Sequence, residues 1–187
     1  FTALIGNSTV SGAGSGVALA TPTGGAGTVS LDLDRVTLTG NGTSVSIAGG
    51  SGTLTALGSI LANGGTECVG TLTSAGYNLV EGACTITPTL PSDVLGVDPM
   101  LEPLADNGGR TRTHALDPAS LGIDTGPIDP ADCGTEDQRG FVRPFDGDSA
   151  GGARCDIGAW ELSGDIARDD FETGSLTGWD AIAGWIP

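Results

Sequence analysis

Short stretches in which apolar and polar residues alternate recur through residues 1–90. Residues 17–19, 29–33 and 45–47 each alternate with a period of two, which is typical of a β-strand that buries one face. Glycine-rich turns separate these stretches, at 24–25, 41–42, 49–50 and 63–65. The pattern therefore predicts blocks of three short strands and three turns.

The blocks repeat along the chain. Val10, Val36 and Ile60 begin comparable segments and lie 26 and 24 residues apart, a period that fits one coil of a β-solenoid. Asp32 and Asp34 fall on the outward parity of their strand. A leucine-rich repeat would need Leu and Asn at fixed offsets, which this sequence lacks. We therefore predict an all-β chain in which parallel pairing between coils satisfies the backbone.

The sequence divides into three parts. Residues 1–90 form the predicted coils. Residues 91–161 hold seven prolines before residue 150 and are predicted to be a loop-rich continuation and cap, with short strands at 98–104 and 114–116 that continue the stack. Residues 162–187 form a C-terminal tail.

The amino-acid composition restricts the possible architectures and binding partners of the chain. The chain has 33 glycines, 4% aromatic residues and a formal charge of −16. It must build its core from rows of small and β-branched residues, as stacked coils do. A disordered Gly/Ser linker is the alternative, and the regular alternation argues against it. The acidity argues against nucleic acid and against an electrostatic membrane anchor, and no apolar run is long enough to span a membrane.

Four cysteines are present, at positions 68, 84, 133 and 155. They show no CxxC spacing, so a structural zinc site is not expected. An even number of cysteines suggests disulfides and an oxidising compartment, although free thiols remain the alternative. Of the three connectivities we favour Cys68–Cys84 and Cys133–Cys155, because each closes a short loop within one segment.

Several short motifs recur in a fixed order between Ser59 and Glu161. They are Gly76-Tyr77-Asn78-Leu79, the run from Asp106 to His114, the run from Ser120 to Gly126, Asp137-Gln138-Arg139-Gly140, Arg143-Pro144 and the run from Cys155 to Glu161. Together they resemble the closing segment of secreted bacterial right-handed parallel β-helix proteins, often called a "choice-of-anchor Q" domain. The resemblance implies a right-handed parallel β-helix with a disulfide-stapled cap, located extracellularly or on the outer surface of a bacterium.

The resemblance also marks structural residues within these motifs. They are Asn107, Gly108, Gly109, Thr113, His114, Asp124, Asp137, Arg139, Arg143, Asp156 and Glu161. Arg139 and Arg143 are expected to form buried or half-buried ion pairs with Asp137, Asp156 and Glu161 and to lock the terminal loops onto the last coil.

Both ends of the chain carry candidate assembly contacts. The chain opens on Phe1 and Leu4 as if in the middle of a strand, which suggests a processed or excised product and a first coil that something else must cover. The tail is similar, over 169–179, to a short C-terminal motif of secreted Gram-negative proteins. Its Phe171, Trp179 and Trp185 are expected to fold over the solenoid end or to contact a neighbour.

Catalysis has little support in the sequence. His114 is the single histidine, and neither a nucleophile-elbow motif nor a triad arrangement accompanies it. Asp32 and Asp34 lie about 7 Å apart on one strand face, which leaves a carbohydrate-active lyase or hydrolase as an alternative. We expect no enzymatic activity.

No cofactor is predicted, and calcium is the only metal that the sequence suggests. Asp146 and Asp148 resemble the start of a calcium loop, but the later ligands of an EF-hand are missing. A second acidic cluster comprises Asp124, Asp129, Asp132, Glu136 and Asp137. A polar Asp/Gly turn and a solvated acidic surface are the simpler interpretations.

These observations predict a non-catalytic structural or adhesive module. Its partners would be the remainder of a longer β-helix or identical subunits, with a surface glycan or protein as ligand. The alternative to a single module is a subunit that stacks head to tail into an extracellular filament.

Overall fold

The computed structural model describes residues 1–20, 28–48, 52–147 and 151–163. These residues form short β-strands and one helical turn, so the prediction of an all-β chain is confirmed. In chain order the elements are β1 (Thr2–Gly6), β2 (Thr9–Ser11), β3 (Ser15–Ala20), β4 (Val29–Asp34), β5 (Thr37–Thr39), β6 (Thr43–Ala48), β7 (Gly52–Leu57), β8 (Ile60–Ala62), β9 (Thr66–Val69), β10 (Thr71–Gly76), β11 (Leu79–Val80), β12 (Thr85–Ile86), β13 (Val94–Leu95) and α1 (Pro130–Cys133).

The strands belong to three parallel sheets that the chain enters in turn. Sheet A has the order β1-β4-β7-β10-β12, sheet B the order β2-β5-β8-β11-β13, and sheet C the order β3-β6-β9. Every pairing between these strands is parallel. We call β1–β3 the first repeat, β4–β6 the second and β7–β9 the third. The predicted three strands per block are therefore present.

The register of the repeats differs from the predicted one. Val10 lies opposite Leu38, and Leu38 opposite Leu61, so these offsets are 28 and 23 residues rather than 26 and 24. Val36 precedes β5 at a bend, yet its side chain is fully buried. Buried apolar residues occur at bends as well as in strands. The apolar pattern alone therefore matched Val36 with Ile60, whereas the structure pairs Thr37 with Ile60.

The repeats also become shorter along the chain. In sheet B the offset between paired residues falls from 28 to 23, then to 19 and to 15. Sheet C ends at β9, so the later repeats close through two sheets only. The stack therefore has three sheets at its first repeat and two at β12 and β13.

The main core lies between the inner faces of the three sheets. Leu33, Leu54 and Leu72 of sheet A meet Leu38 of sheet B and Val45 of sheet C, and each is 0 or 1% exposed. Inward residues stack on equivalents in the next repeat, as Leu31, Leu54 and Leu72 do. This stacking explains how a chain with few aromatic residues builds a dry interior.

A ladder of polar groups fills the corner between sheets A and B. Val36 N–H donates to Ser59 Oγ, Ser59 N–H to Asn78 Oδ1, and Asn78 N–H to Asp93 Oδ1, each at 3.1 Å. Asn78 Nδ2 also donates to the Ala56 carbonyl at 2.9 Å. Asn78 in the Gly-Tyr-Asn element thus satisfies buried backbone groups where the chain turns.

Parallel pairing ends after β13, which lies beyond the boundary predicted at residue 90. The strands predicted at 98–104 and 114–116 do not continue the stack. Their bridges are antiparallel and join Leu101 to Leu116 and Ala105 to Thr113. These segments pair with each other across a short loop, a local contact that apolar patterning does not distinguish from a further repeat.

The two disulfides follow the favoured connectivity. Cys68 in β9 is joined to Cys84 before β12, with Cα atoms 4.6 Å apart. Cys133, the last residue of α1, is joined to Cys155, with Cα atoms 5.8 Å apart. One bridge lies where sheet C ends, and the other fixes the loop-rich segment. Among the described residues no helix is long and apolar enough to cross a membrane.

Candidate functional site

The loop-rich segment covers the outer face of sheet B. Gly158 N–H donates to the Gly58 carbonyl at 2.7 Å, and Ala159 N–H donates to Thr37 Oγ1 at 3.0 Å. Thr37 and Ile60 are consequently buried although their neighbours in sequence point into the main core. A second apolar cluster lies at this contact. Its buried members are Ile60, Ala62, Leu79, Ala115, Leu116, Ile123, Ile157 and Trp160.

The contact extends to the first repeat. Thr9 Oγ1 donates to Gln138 Oε1 at 2.6 Å, and Asn7 Nδ2 donates to the Glu136 carbonyl at 3.1 Å. The terminal loops therefore lie along the side of the stack and reach its first repeat. The predicted contact with the last coil is thus only part of the contact, because the outer face of sheet B offers Thr9 and Thr37 as hydrogen-bond partners and Ile60 and Leu79 as apolar ones.

Arg139 organises one half of this segment. Its guanidinium pairs with Asp137 at 2.7 Å, and its NH1 donates to the Asn107 carbonyl at 3.1 Å. The Phe141 ring centroid lies 4.3 Å from the guanidinium carbon and a Trp160 ring centroid 4.7 Å, so the cation is held between two aromatic rings. The Arg139 side chain is only 5% exposed, and it joins Asp137 to the Asn107 backbone.

Arg143 organises the other half. Its NH1 lies 3.4 Å from Glu161 Oε2 and donates to the Asp156 carbonyl at 3.0 Å. Its NH2 donates to the Gly158 carbonyl at 2.8 Å. Burial lowers the pKa of Arg143 from its ordinary value, while Glu161 opposes that shift. The ion pairs predicted for Arg139 and Arg143 are thus formed.

Two carboxyl groups share this buried site. Asp156 is 1% exposed and Glu161 is fully buried. Burial, followed by the nearby Glu161, raises the pKa of Asp156 to about 8. Burial also raises the pKa of Glu161, and Arg143 opposes that shift. Asp156 Oδ1 accepts the Asp124 N–H at 2.9 Å, so the predicted Asp124 joins this network.

The Asn107–His114 motif forms a loop against Arg139. Asn107 Nδ2 donates to the Thr113 carbonyl and to Thr113 Oγ1, both at 3.0 Å. A Cβ at Gly109 would lie 2.9 Å from the Arg139 Cα, which explains a glycine there. Gly108 has φ 85°, a left-handed conformation that favours glycine. His114 Nδ1 lies 2.7 Å from the Glu102 carbonyl oxygen, a backbone contact that fits a structural role.

A groove runs between this loop and the Arg139 segment. It has a volume of about 620 Å³. Phe141 and Trp160 provide part of its apolar wall, while Glu102 and Asp106 supply carboxylates. These groups could contact a ligand that has both apolar and hydroxyl groups.

Where the structure describes them, the residues predicted to bind calcium do not come together in one group. Among the described residues, no group of three or more His, Cys, Asp or Glu side chains is placed to hold a metal ion. Asp124 belongs to the Asp156 network, and Asp137 pairs with Arg139. Asp146 lies within the described part of the chain, whereas Asp148 lies outside it. The predicted tail contacts Phe171, Trp179 and Trp185 also lie outside the described residues.

Three open sheet edges meet at the first repeat. The strands β1, β2 and β3 are the terminal strands of their sheets at the same end of the stack. Phe1 and Leu4 are 84% and 66% exposed there. Residues 1–20 contain no Asp, Glu, Lys or Arg, although charged side chains are a common protection of sheet edges.

The sequence reasoning missed an ordered hydroxyl surface on sheet A. The triplets Thr-Leu-Thr at 53–55 and 71–73 and Thr-Ile-Thr at 85–87 lie on neighbouring strands. Each inward Leu or Ile leaves the two threonines on the outer face. The recurring Thr-x-Thr spacing in the sequence was the available signal.

Comparison with known proteins leaves the chain without a match: no protein-family model, curated protein or solved structure is similar to it.

Proposed function

We propose that this chain is a non-catalytic structural and adhesive module that works outside the cell, built as a right-handed parallel β-helix. The observation that carries the proposal is the parallel stack itself, in which three sheets are extended strand by strand. Such a stack presents broad, rigid side surfaces rather than a single deep cleft. The motif resemblance to the closing segment of secreted bacterial β-helix proteins points the same way.

Two further features support an extracellular role. Both cysteine pairs are joined as disulfides, which persist in oxidising compartments. The charge of −16 favours solubility and keeps neighbouring molecules apart. Arg139 pairs with Asp137 and Arg143 with Glu161, and both arginines also bond the backbone, an arrangement suited to holding loops in place.

An adhesive module must bind without turnover. The purified, oxidised chain should be applied to a glycan array and to bacterial cells, and in parallel incubated with neutral and acidic polysaccharides while product release is followed. Saturable binding with no released product supports the proposal. Release of shortened or unsaturated sugars would overturn it in favour of a carbohydrate-active enzyme.

A second candidate function is head-to-tail assembly into an extracellular filament. The three open and uncharged edges of the first repeat favour it, because such an edge can pair with further strands. Electron microscopy of unconcentrated protein tests this candidate. Long fibres with a regular axial repeat would support it, and separate short particles at every concentration would contradict it.

A further inference from the structure

Two columns of outward side chains, most of which carry hydroxyls, cross the outer face of sheet A. The first column is Thr2, Ser30, Thr53, Thr71 and Thr85. The second column begins with Leu4 and Asp32 and continues through Thr55, Thr73 and Thr87. The part of the face formed by β7, β10 and β12 thus consists of three successive Thr-x-Thr rows.

Parallel-sheet geometry gives this surface a two-dimensional repeat. Neighbouring strands lie about 4.8 Å apart, and alternate residues of one strand lie about 6.6 Å apart. Each threonine contributes a methyl group and a hydroxyl that can donate and accept. The result is a regular array of apolar and hydrogen-bonding groups fixed on one rigid sheet.

Strand propensity does not account for where these threonines lie. Threonine suits any exposed strand position, yet no strand of sheet C contains a Thr-x-Thr triplet. In that sheet Thr66 is exposed and its partner Thr43 is half-buried, while the adjacent Ser44 and Glu67 are buried. In sheet B the outward Thr37 and Thr39 are buried under the terminal loops. Among the described residues, successive Thr-x-Thr rows therefore occur on sheet A alone.

The array is available to an outside partner. Thr53, Thr71, Thr85 and Thr87 are exposed, and Thr55 and Thr73 are half-buried. The described structure gives none of their hydroxyls a hydrogen bond to another residue. The strands β7, β10 and β12 contain no charged and no aromatic residue. The nearest acidic side chain is Asp32 on β4, which lies opposite Thr55, so the uncharged part of the face begins at β7.

We propose that the threonine array of sheet A adsorbs to ice. An ice face is a flat, uncharged lattice of water oxygens that offers donors and acceptors at repeating positions close to the spacing of these hydroxyls. A rigid array can match such a lattice at many points at once, and each match adds to the others without a new loss of rotational freedom. Crystalline polysaccharides are less suited to this face, because sugar rings pack well on aromatic side chains and these three strands have none.

Ice adsorption is measurable on the purified, oxidised chain. Recrystallisation inhibition and thermal hysteresis should be followed over a concentration series, with ice-crystal shape recorded during growth. We expect inhibition of recrystallisation and faceted crystals. Thr73→Lys places a long charged side chain between Thr55 and Thr87, and should raise the concentration required by about tenfold or more, which corresponds to about 1.4 kcal/mol of adsorption free energy.

Ser46→Lys is the matched control, since it adds the same charge to the outer face of sheet C. It should retain the wild-type inhibition, and far-UV circular dichroism should show that both variants are folded. Absence of inhibition by the wild type, or equal inhibition by the Thr73→Lys variant, overturns the proposal. So does sedimentation with crystalline cellulose or chitin but not with ice. The proposal depends on the rigid stack and not on an adhesive role, so its failure leaves the glycan and turnover experiments unaffected.

Discussion

Arg139 is the residue whose loss should most weaken the terminal segment. Truncation to alanine would leave the carboxylate of Asp137, which is 2% exposed, without its cation and would open the space between Phe141 and Trp160. Removing one partner of a buried pair costs about 3–5 kcal/mol. Arg139→Ala should therefore lower the melting temperature strongly in a thermal denaturation followed by circular dichroism.

The exposed Arg112 provides the control for that measurement. Arg112→Ala should change the free energy of unfolding by no more than about 0.5 kcal/mol. Melting curves of the two variants that coincide would show that the Arg139 pair adds nothing to stability.

Asp156 makes stability depend on pH. Its pKa in the folded chain is about 8, above the ordinary 3.8, so the folded protein binds a proton more tightly than the unfolded one. The stabilisation is present below the unfolded pKa and is lost as the pH rises through about 8. The melting temperature should therefore fall between pH 4 and 8, and Asp156→Asn should flatten that slope.

Glu102 is exposed, so Glu102→Gln serves as the reference for the pH experiment. It should retain the wild-type slope. A slope that is unchanged in the Asp156→Asn variant would mean that other groups cause the pH dependence.

The sequence identified the participants of this buried site but not its geometry. Arg139, Arg143, Asp137, Asp156 and Glu161 were all singled out, and opposite charges made ion pairs the natural expectation. Their position over the side of sheet B could not be predicted, because it depends on Thr37, Ile60 and Gly58, which lie far away in sequence. A linear pattern carries no information on which sheet face the loops cover.

At the scale of elements, the local alternation of apolar and polar residues predicted the strands well, but it predicted poorly which strands pair. The alternating residues 29–33 became most of β4, since alternation follows directly from the pleat. The short segments around Leu101 and Leu116 have the same apolar character but pair antiparallel with each other. Partner choice depends on loop length and on the space already occupied, and neither is visible in a short window.

The Cys133–Cys155 disulfide should hold the terminal segment against sheet B. It closes a separation of 22 residues, for which chain entropy gives about 3 kcal/mol. In the double variant Cys133→Ala/Cys155→Ala, hydrogen exchange followed by mass spectrometry should show lost protection in 133–161 and retained protection in β4 to β8. Removal of Cys68 and Cys84 in the same way is the comparison, and it should affect β9 and β12 instead. A uniform loss across the chain would contradict this local role.

At the scale of the whole molecule, the first repeat is predicted to control self-association. Ser30 N–H donates to the Phe1 carbonyl, and Asn7 N–H donates to the Asp34 carbonyl. The odd-numbered residues of this segment therefore direct their backbone N–H and C=O groups toward β4. In a parallel pair the even-numbered residues then direct their backbone groups to the open edge. Leu4→Pro should remove an open-edge donor and abolish assembly, as measured by sedimentation velocity, with little change in melting temperature.

Leu4→Ala tests whether the side chain is responsible instead. It should assemble like the wild type, because the backbone donor remains. Assembly that persists in Leu4→Pro would exclude strand addition at β1.

The loss of sheet C along the stack makes the two ends of the molecule unlike. One end presents the edges of three strands, β1, β2 and β3, while the other ends in β12 and β13, which have two residues each. A head-to-tail junction would place these three strands against two. Contact between two first repeats, related by a two-fold axis, would instead join identical surfaces and close after one pair. The unlike ends therefore give the two modes of association different products: a fibre that grows from its tips, or a particle of two chains that stops growing.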